Sequence, residues 1–294
     1  MQESRRAGMR FAFIQEHRKV WPITVMCRLL GVARSGFHAW VKRKPGRRRR
    51  RRDDLAVKIQ AIHRENRRVY GSPRVHRALI AGGEAVCENT VASIMREHGV
   101  RAKKKARFTP RTTDSRHESP VAANTLDRRF DTELPDRKWA ADITYIPTDE
   151  GWLYLAGVID LCTRRVVGWA MADHMKIDLV SDALAMALAR RRPGPGLLHH
   201  SDRGVQYASD NYQQLLTDHG LACSMSGKGD CYDNAVIESF WSTLKTELVH
   251  HEHYATHEEA RMSIFHYIEV FYNRQRLHSS LGYKSPEAFE ASLN

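Results

Sequence analysis

Residues 139–171 read WAADITYIPTDEGWLYLAGVIDLCTRRVVGWAM, and this stretch decides the fold. It contains three runs rich in apolar, aromatic and β-branched residues, at 139–146, 152–160 and 164–171. Each run has the composition and length of a β-strand, and only short segments with turn-forming residues separate the runs. Because a short connection can join only antiparallel neighbours, the stretch predicts an antiparallel meander of three strands.

The sequence downstream of the meander alternates between helix and strand patterns. The predicted elements are a helix at 178–191, a strand at 197–200, a helix at 211–219, a strand at 221–225 and a long helix at 234–248. The order β-β-β-α-β-α-β-α is typical of the α/β ribonuclease-H-like fold, a mixed five-stranded sheet flanked by helices. An amphipathic helix at 258–273 and a short helix starting at Ser285-Pro286 are predicted to follow.

The positive charge of the chain is concentrated at its front. The net charge is +13, and residues 1–110 hold 28 Lys and Arg against 8 Asp and Glu, so that the remaining residues carry a net negative charge. This asymmetry predicts a basic region that grips a polyanion, placed ahead of a domain with a different role. If the polyanion is nucleic acid, the affinity falls steeply with salt.

Residues 25–40 form a short helical pattern, a turn at Gly31 and a second helical pattern. This is the layout of a helix-turn-helix, whose second helix would present Arg34, Ser35 and His38 to a DNA groove. The alternative is a helical hairpin that only packs, and the local positive charge favours DNA contact.

The composition shifts along the chain predict a sequence of small all-α modules followed by a larger domain. The predicted divisions are a helix-turn-helix module at 1–46, a basic linker of six arginines at 47–52, a second helical DNA-binding module at 53–110, a linker at 111–133, the ribonuclease-H-like core at 134–250 and a helical extension at 251–294.

Cysteine usage and hydropathy indicate the compartment. The five cysteines form no C-x-x-C pair, which is typical of reduced thiols. No stretch approaches 18 consecutive apolar residues, and no secretory signal follows Met1, so we expect a cytoplasmic protein, associated with the nucleoid if it binds DNA, and no membrane partner. The histidines at 250, 251, 253 and 257 lack cysteine partners, which favours a solvated loop or helix end over a zinc site.

Three acidic residues are candidates for metal binding. Asp142 interrupts the first predicted strand, Asp202 follows the fourth, and Glu238 lies on the long helix. If the first and fourth strands are neighbours and the helix packs across them, the three carboxylates meet. Hard oxygen ligands suit Mg²⁺, and two such ions can activate the attacking oxygen and stabilise the leaving oxygen in a displacement at phosphorus.

The sequence around all three acids resembles one family, the integrase-core (DDE, retroviral-integrase-like) transposases of bacterial insertion sequences, of the second-frame (OrfB) type. The matching segments are 139–145, 200–207 and 233–245, with further matches at 70–74 and 272–283. Asp202 and Glu238 are separated by 35 residues, the spacing typical of the family. The resemblance implies that Asp142, Asp202 and Glu238 are catalytic and bind two Mg²⁺ ions, for which Mn²⁺ can substitute. It also implies cleavage of element ends by water and strand transfer of the freed 3′-OH.

Further residues are candidate DNA contacts. Lys245 lies two helical turns after Glu238 on the same face and matches the family pattern, although a solvated lysine that pairs with a nearby Glu is the alternative. Arg203 and His200 could orient a phosphate or only satisfy strand-end backbone groups. The remaining candidates are Lys228 in a glycine-rich loop, Arg74, Arg274 and Arg276. Helical spacing predicts that Tyr207, Phe240 and Trp241 are core residues rather than base-stacking platforms.

The resemblance also implies partners. These are double-stranded DNA, both as the terminal repeats of the element and as the target, a homo-oligomer on DNA, and an upstream-frame fusion partner. The His-Cys zinc module of retroviral integrases has no counterpart in this sequence. Two alternative functions remain: a DNA-binding regulator with a catalytically silent core, and a nuclease such as a ribonuclease H or junction resolvase, which would never join DNA.

Overall fold

The computed structural model describes residues 2–42, 46–103, 122–227 and 231–293. The chain forms two compact units, Met1–Lys58 and Ile59–Asn294. Among the helices of these described ranges, none is both long and apolar enough to cross a membrane.

The first unit contains helices α1 (Gln2–His17), α2 (Ile23–Leu29) and α3 (Arg34–Lys42). Its small core is built from one buried face of each helix, contributed by Ile14, Met26, Cys27 and Phe37. Gly31 adopts a φ of +61° in the turn between α2 and α3, a conformation that side chains with a Cβ rarely adopt. The helix, glycine turn and second helix predicted at 25–40 are therefore present.

The six arginines of the predicted basic linker are helical. Arg47–Arg52 form the first turns of α4 (Arg47–Glu65), so the prediction of a linker at 47–52 was wrong in secondary structure. Arginine has a high helix propensity, and the helix leaves five of these six residues, 47–51, exposed and Arg52 half-buried. The predicted linker at 111–133 lies partly outside the described residues, and its remainder, 122–133, contains no helix or strand.

The second unit begins with a helical module. After the end of α4, helices α5 (Ser72–Ala81) and α6 (Glu88–Glu97) pack through buried Val75, Leu79 and Ile94. The N-caps of α5 and α6 are Gly71 and Cys87.

The sheet of the second unit has five strands. They are β1 (Lys138–Thr148), β2 (Gly151–Asp160), β3 (Val166–Ala172), β4 (Leu198–Ser201) and β5 (Ala222–Met225). The order is β3-β2-β1-β4-β5, with an antiparallel meander from β1 to β3 and with β4 and β5 parallel to β1. The predicted mixed sheet is confirmed, and β1 lies at its centre.

Helices cover the sheet and bury its apolar residues. They are α7 (Ile177–Arg191), α8 (Asp210–Asp218) and α9 (Ala235–Glu247). The core between them and the strands includes Trp139, Leu184 and Tyr212, all almost fully buried. Gly168 of β3 permits the close approach of α7, since a Cβ there would lie 2.1 Å from the backbone oxygen of Ala183.

The chain ends in α10 (His257–Phe265), a π-helical segment (His266–Tyr272) and α11 (Pro286–Ala291), where a single helix at 258–273 was expected. The π-helical segment is followed by Asn273, whose side chain bonds the edge strand. Its Oδ1 accepts from Val166 N at 3.0 Å and its Nδ2 donates to Val166 O at 3.0 Å. The side chain thus satisfies backbone groups at the start of β3.

Candidate active site

Strand pairing brings Asp142 and Asp202 together. Ala141 of β1 is the parallel partner of Ser201, the last residue of β4. Asp142 and Asp202 each directly follow one residue of this pair. Neighbouring strands lie about 4.8 Å apart, so Asp142 and Asp202 are adjacent at the carboxyl end of β4. The backbone N–H of Gly204 donates to Asp202 Oδ1 at 2.9 Å and fixes that carboxylate.

Helix α9 carries Glu238 toward the same edge. Asn234, which precedes the helix, donates from Nδ2 to Ala141 O at 3.2 Å, and Trp241 donates from Nε1 to Asp142 Oδ2 at 3.0 Å. Glu238 lies four residues after Asn234 and three before Trp241, so the three side chains share one face of the helix. The two contacts with β1 therefore hold Glu238, which is exposed, above the strand.

The three carboxylates influence one another electrostatically. Burial, and then the charge of Asp202, raise the pKa of Asp142 well above its usual value, and Glu238 contributes in the same direction. Desolvation and the charge of Asp202 likewise raise the pKa of Glu238. Each group destabilises the ionised form of the others, so a cation would be attracted to this place.

The side chains are not gathered as a complete ligand set. In the described ranges no three Asp, Glu, His or Cys side chains lie close enough together to hold a metal ion as they stand. The donor set nevertheless fits Mg²⁺ chemically, because Mg²⁺ takes one or two protein carboxylates and completes its shell with water and phosphate oxygens.

Trp241 packs where a glycine leaves room. Gly157 of β2 pairs directly with Asp142, and a Cβ on Gly157 would lie 2.7 Å from the Trp241 ring. The indole is buried against the bare backbone at this position, and its N–H reaches the carboxylate. Sequence analysis predicted Trp241 as a core residue and missed this hydrogen bond; the signal that could have revealed it is the three-residue spacing from Glu238.

Lys245 lies further along α9 on the same face. Its Nζ is 4.5 Å from the centroid of the Tyr145 ring, three residues beyond Asp142 on β1. Burial lowers the pKa of Lys245, and the charge of Asp142 partly offsets this effect. Within the described part of the chain no acidic side chain forms an ion pair with Lys245, which disfavours the alternative of a lysine paired with a neighbouring Glu.

His200 and Arg203 have structural contacts. The His200 ring nitrogens lie 2.9 Å from Ser224 Oγ and 3.2 Å from Ser226 Oγ, and burial lowers the pKa of His200 to about 4. Arg203 donates from Nε to Ser226 O at 2.5 Å. His200 therefore contacts side chains of β5 and of the residue just after it, whereas Arg203 satisfies a backbone carbonyl after β5, as its alternative expected.

Buried Asp233 anchors the 3-10 turn Cys231–Asn234 that precedes α9, a role that sequence analysis did not assign. Its carboxylate accepts from Gly227 N at 2.7 Å, Asn124 Nδ2 at 2.9 Å and Arg128 Nε at 3.2 Å. The same turn contains Asn234, whose side chain contacts β1.

Comparisons with known proteins agree with this architecture. A family model described as "Integrase core domain" matches residues 132–231, a second of the same description matches 219–286, and an "HTH-like domain" matches 50–108. The chain is 46% identical over 285 residues to the transposase InsF for insertion sequence IS3A of Escherichia coli (strain K12), covering 96% of this chain and 98% of the relative. The chain belongs to the IS3-type integrase-core transposases.

Two further similarities are weaker or less informative. A 31 kDa insertion element IS600 protein of Shigella sonnei is 45% identical over 264 residues, covering 90% of this chain and 97% of that protein. A simian T-cell lymphotropic virus intasome chain is 14% identical with a TM-score of 0.46, covering 80% of this chain and 74% of that chain. The family assignment makes this IS3-type transposase a DNA-acting polynucleotidyl transferase with a ribonuclease-H-like core.

The remaining candidate residues of the IS3-type transposase are scattered. Arg34, Ser35 and His38 are exposed on α3 in the first unit, and Lys228 lies outside the described residues. Arg274 is largely exposed and lies 3.5 Å from Glu287.

Two further candidate DNA contacts, Arg276 and Arg74, face one carboxylate; Arg276 is buried and Arg74 is partly exposed. Arg276, 5% exposed, donates to both carboxylate oxygens of Glu247 through the Nε–Nη2 edge of its guanidinium, with contacts of 2.7, 2.8 and 3.1 Å. Arg74 lies 3.8 Å from the same carboxylate, and Tyr267 donates to it at 2.8 Å. The matched segments at 70–74 and 272–283 thus join the helical module to the core within the second unit. Tyr70 adds to this junction, since its hydroxyl donates to Gln275 O at 3.1 Å.

The histidine cluster forms no metal site in the described residues. His253 Nε2 lies 3.2 Å from Asp149 Oδ2, and His257 Nδ1 lies 3.7 Å from Glu150 Oε2. His253 is largely exposed, in line with the expectation of a solvated loop.

Proposed function

We propose that this transposase cleaves the ends of its own element and joins the freed 3′-OH to target DNA, with Asp142, Asp202 and Glu238 as metal-binding catalytic residues. One observation carries the proposal: the ionisation of Asp142 is opposed by both Asp202 and Glu238, three acids from distant parts of the sequence. Acids that repel one another need a compensating cation to be stable while ionised.

The proposed cofactor is a pair of Mg²⁺ ions, with Mn²⁺ as a substitute. Asp142, Asp202 and Glu238 would hold them. When bound, two such ions activate the attacking oxygen and stabilise the leaving oxygen of an in-line displacement. Water is the nucleophile in cleavage and the 3′-OH in strand transfer, so no side chain has to form a covalent intermediate.

The chain's own residues orient the carboxylates and the DNA. Trp241 and the backbone of Gly204 hold Asp142 and Asp202 by hydrogen bonds. Lys245, whose charge lies along the same face of α9, would contact a phosphate near the scissile bond. Its partial burial strengthens that contact, because a charge in a less polar environment attracts an anion more strongly.

The test is an activity assay on DNA that carries the element ends. In the presence of Mg²⁺ the protein should nick the ends and produce new DNA–DNA joints. Asp202→Asn should lower both activities by roughly a thousand-fold, since several kcal/mol of charge stabilisation are lost. Asp182→Asn, an exposed acid of α7, is the matched control and should remain active.

Three outcomes would contradict the proposal. Full activity in Asp202→Asn would exclude the carboxylate from catalysis. Hydrolysis without any joining would instead favour a nuclease, and DNA binding with neither activity would favour a silent regulator.

We further propose that the front of the chain binds DNA, with a helix-turn-helix module at 1–46 and a second helical module at 53–110. The exposed positions of Arg34, Ser35 and His38 on α3 and the net positive charge of residues 1–110 support this assignment. Cleavage of two element ends favours a homo-oligomer on DNA, and the second-frame resemblance supports an upstream-frame fusion partner. The molecular mass of the complex between the protein and DNA that carries the element ends tests the oligomeric state. The same measurement on the protein fused to the upstream frame tests the fusion partner.

A further inference from the structure

A second polar pocket lies within the second unit, behind α9. Its volume is about 370 Å³, and no aspartate or glutamate of the described residues lines it. The wall contains three arginines, one histidine and several hydroxyl groups, of which Arg164, Arg74, His278, Ser239 and Thr243 are used below. A concave site with many N–H and O–H donors and no acid favours an anion.

Arg164 is the pocket's arginine that forms no ion pair in the described residues. It is partly buried, and among the described residues no carboxylate forms an ion pair or hydrogen bond with its guanidinium. The nearby Asp160 is occupied, because its Oδ1 accepts from Thr163 N at 2.7 Å and Thr163 Oγ1 at 2.9 Å, and its Oδ2 from Asp136 N at 2.8 Å. Burial lowers the pKa of Arg164, and the charges of Asp131 and Asp160 offset only part of this effect.

The backbone of Arg164 is strained. Its φ is +59°, in the left-handed region that a residue with a Cβ rarely adopts. The turn between β2 and β3 is held by Asp160, whose backbone oxygen accepts from Arg164 N at 2.9 Å. The turn therefore directs an arginine into the pocket from a position that glycine or asparagine would occupy more easily.

The other cations of the pocket add positive potential. Glu247 engages Arg276 directly and leaves Arg74 at 3.8 Å, so one carboxylate faces two guanidinium groups. Burial, followed by the charges of Arg276, Arg74 and Arg164, lowers the pKa of His278 to about 2. His278 Nε2 lies 3.2 Å from Arg276 Nη1, a donor, so Nδ1 carries the ring proton.

We propose that this pocket is a binding site for a phosphate-class anion, with Arg164 as its principal contact. The ligand is either a backbone phosphate of DNA or a free polyphosphate such as pyrophosphate. The hydroxyls of Ser239 and Thr243, one helical turn apart on α9, supply further donors. The volume of about 370 Å³ accommodates a phosphate or diphosphate group but not a segment of double-stranded DNA.

The position of the pocket gives it a role if the ligand is DNA, and this part rests on the proposed function. Ser239 and Thr243 lie on the side of α9 that turns away from Glu238 and Trp241. A phosphate bound there lies about one helix diameter, roughly 10 Å, from the catalytic carboxylates. It would hold DNA at a fixed distance from the scissile bond without touching the reacting atoms.

The test is calorimetric titration of the full-length protein with sodium pyrophosphate in the absence of divalent cations, so that the acidic site takes no part. We expect binding at one site, weakened about ten-fold in Arg164→Gln, the effect of losing one charge-assisted contact. Arg192→Gln is the matched control: Arg192 is an exposed arginine that also adopts a positive φ, of 47°, and its loss should change nothing. Arg164→Lys, which keeps the charge, covers the case in which Arg164→Gln does not fold and should bind at intermediate strength.

A second experiment identifies whether the phosphate belongs to DNA or to a free polyphosphate. Fluorescence anisotropy measures the affinity for end-containing duplex in the wild type and in both arginine variants. Weaker DNA binding in Arg164→Gln, together with competition by pyrophosphate, identifies a backbone phosphate; unchanged DNA binding identifies a free polyphosphate. Absence of pyrophosphate binding in the wild type, or equal binding in Arg164→Gln, would overturn the proposal. Asp202→Asn should bind pyrophosphate normally, which separates this result from any failure of the catalytic assignment.

Discussion

Trp241 donates its indole N–H to the carboxylate of Asp142, with 3.0 Å between Nε1 and Oδ2. The bond joins α9 to the central strand β1 at the place where Glu238 approaches the two aspartates. It lowers the pKa of Asp142 against the opposing effects of burial and of Asp202. A residue that fills the core therefore also orients a proposed metal ligand.

Replacement of Trp241 by phenylalanine tests this orientation. Trp241→Phe keeps a ring against Gly157 but removes the N–H, so we expect DNA cleavage about ten-fold slower and a higher Mg²⁺ requirement, with DNA affinity unchanged. Single-turnover nicking across a Mg²⁺ series measures both effects. Trp169→Phe removes a comparable bond, from Nε1 to Glu269 at 2.7 Å, and should leave the rate alone. An equal loss in the two variants would show that Trp241 acts only through stability.

The bare backbone at Gly157 is a second requirement for the same geometry. Gly157→Ala places a methyl group 2.7 Å from the Trp241 ring, so the indole must shift and its bond to Asp142 weakens. We expect a loss of about 1–3 kcal/mol in the free energy of unfolding and a larger fractional loss of activity than in Trp241→Phe. Urea unfolding and the nicking assay measure the two. Gly194→Ala, where nothing lies within 4 Å, should be neutral in both.

Sequence patterns predicted the strands and the positions of the acids because strand composition, turns and local context are short-range properties. Other features depend on contacts between distant residues. The bond between Asn273 and Val166 spans 107 residues, so the π-helical segment next to it was predicted as ordinary helix. Apolar spacing predicts that Trp241 is buried, but it does not predict where its N–H points. For Arg47–Arg52 the run of charge suggested a linker, although the helix propensity of arginine favours a helix.

Glu247 stabilises the junction between the helical module and the core. Glu247→Gln leaves the buried guanidinium of Arg276 without its counter-charge, and we expect a loss of about 3–5 kcal/mol in the free energy of unfolding. Urea unfolding monitored by tryptophan fluorescence measures the change. Glu252→Gln, an exposed neighbour, should fall within about 0.5 kcal/mol of the wild type. A small effect of Glu247→Gln would mean that the ion pair is not needed for this junction.

His278 makes the stability of the second unit depend on pH. Burial and the surrounding arginines hold the pKa of His278 at about 2 in the folded state, below the usual value of 6.5. The unfolded chain therefore binds a proton first, and stability is lost as the pH falls below about 6.5, by about 2 kcal/mol down to pH 5. Urea unfolding at about pH 6.5 and at pH 5 should show a smaller loss in the free energy of unfolding for His278→Gln than for the wild type. His219→Gln, an exposed histidine, should keep the wild-type slope; a slope unchanged in His278→Gln would contradict the assignment.

Salt dependence tests whether α3 contacts DNA. Arg34 is exposed at the start of α3, and a phosphate contact made by its guanidinium would release about one counterion on binding. We expect Arg34→Ala to reduce the slope of log affinity against log salt by about 1, with a similar loss of affinity for every DNA sequence. If Arg34 instead reads a base edge, the loss would be confined to duplexes that carry the element ends, because only those present the matching base. Anisotropy titrations over a salt series, with duplexes that carry the element ends and with duplexes of random sequence, separate a phosphate contact from a base contact. Arg192→Ala, in the other unit, is the control. Unchanged affinity and slope in Arg34→Ala would leave α2 and α3 as a helical hairpin that only packs.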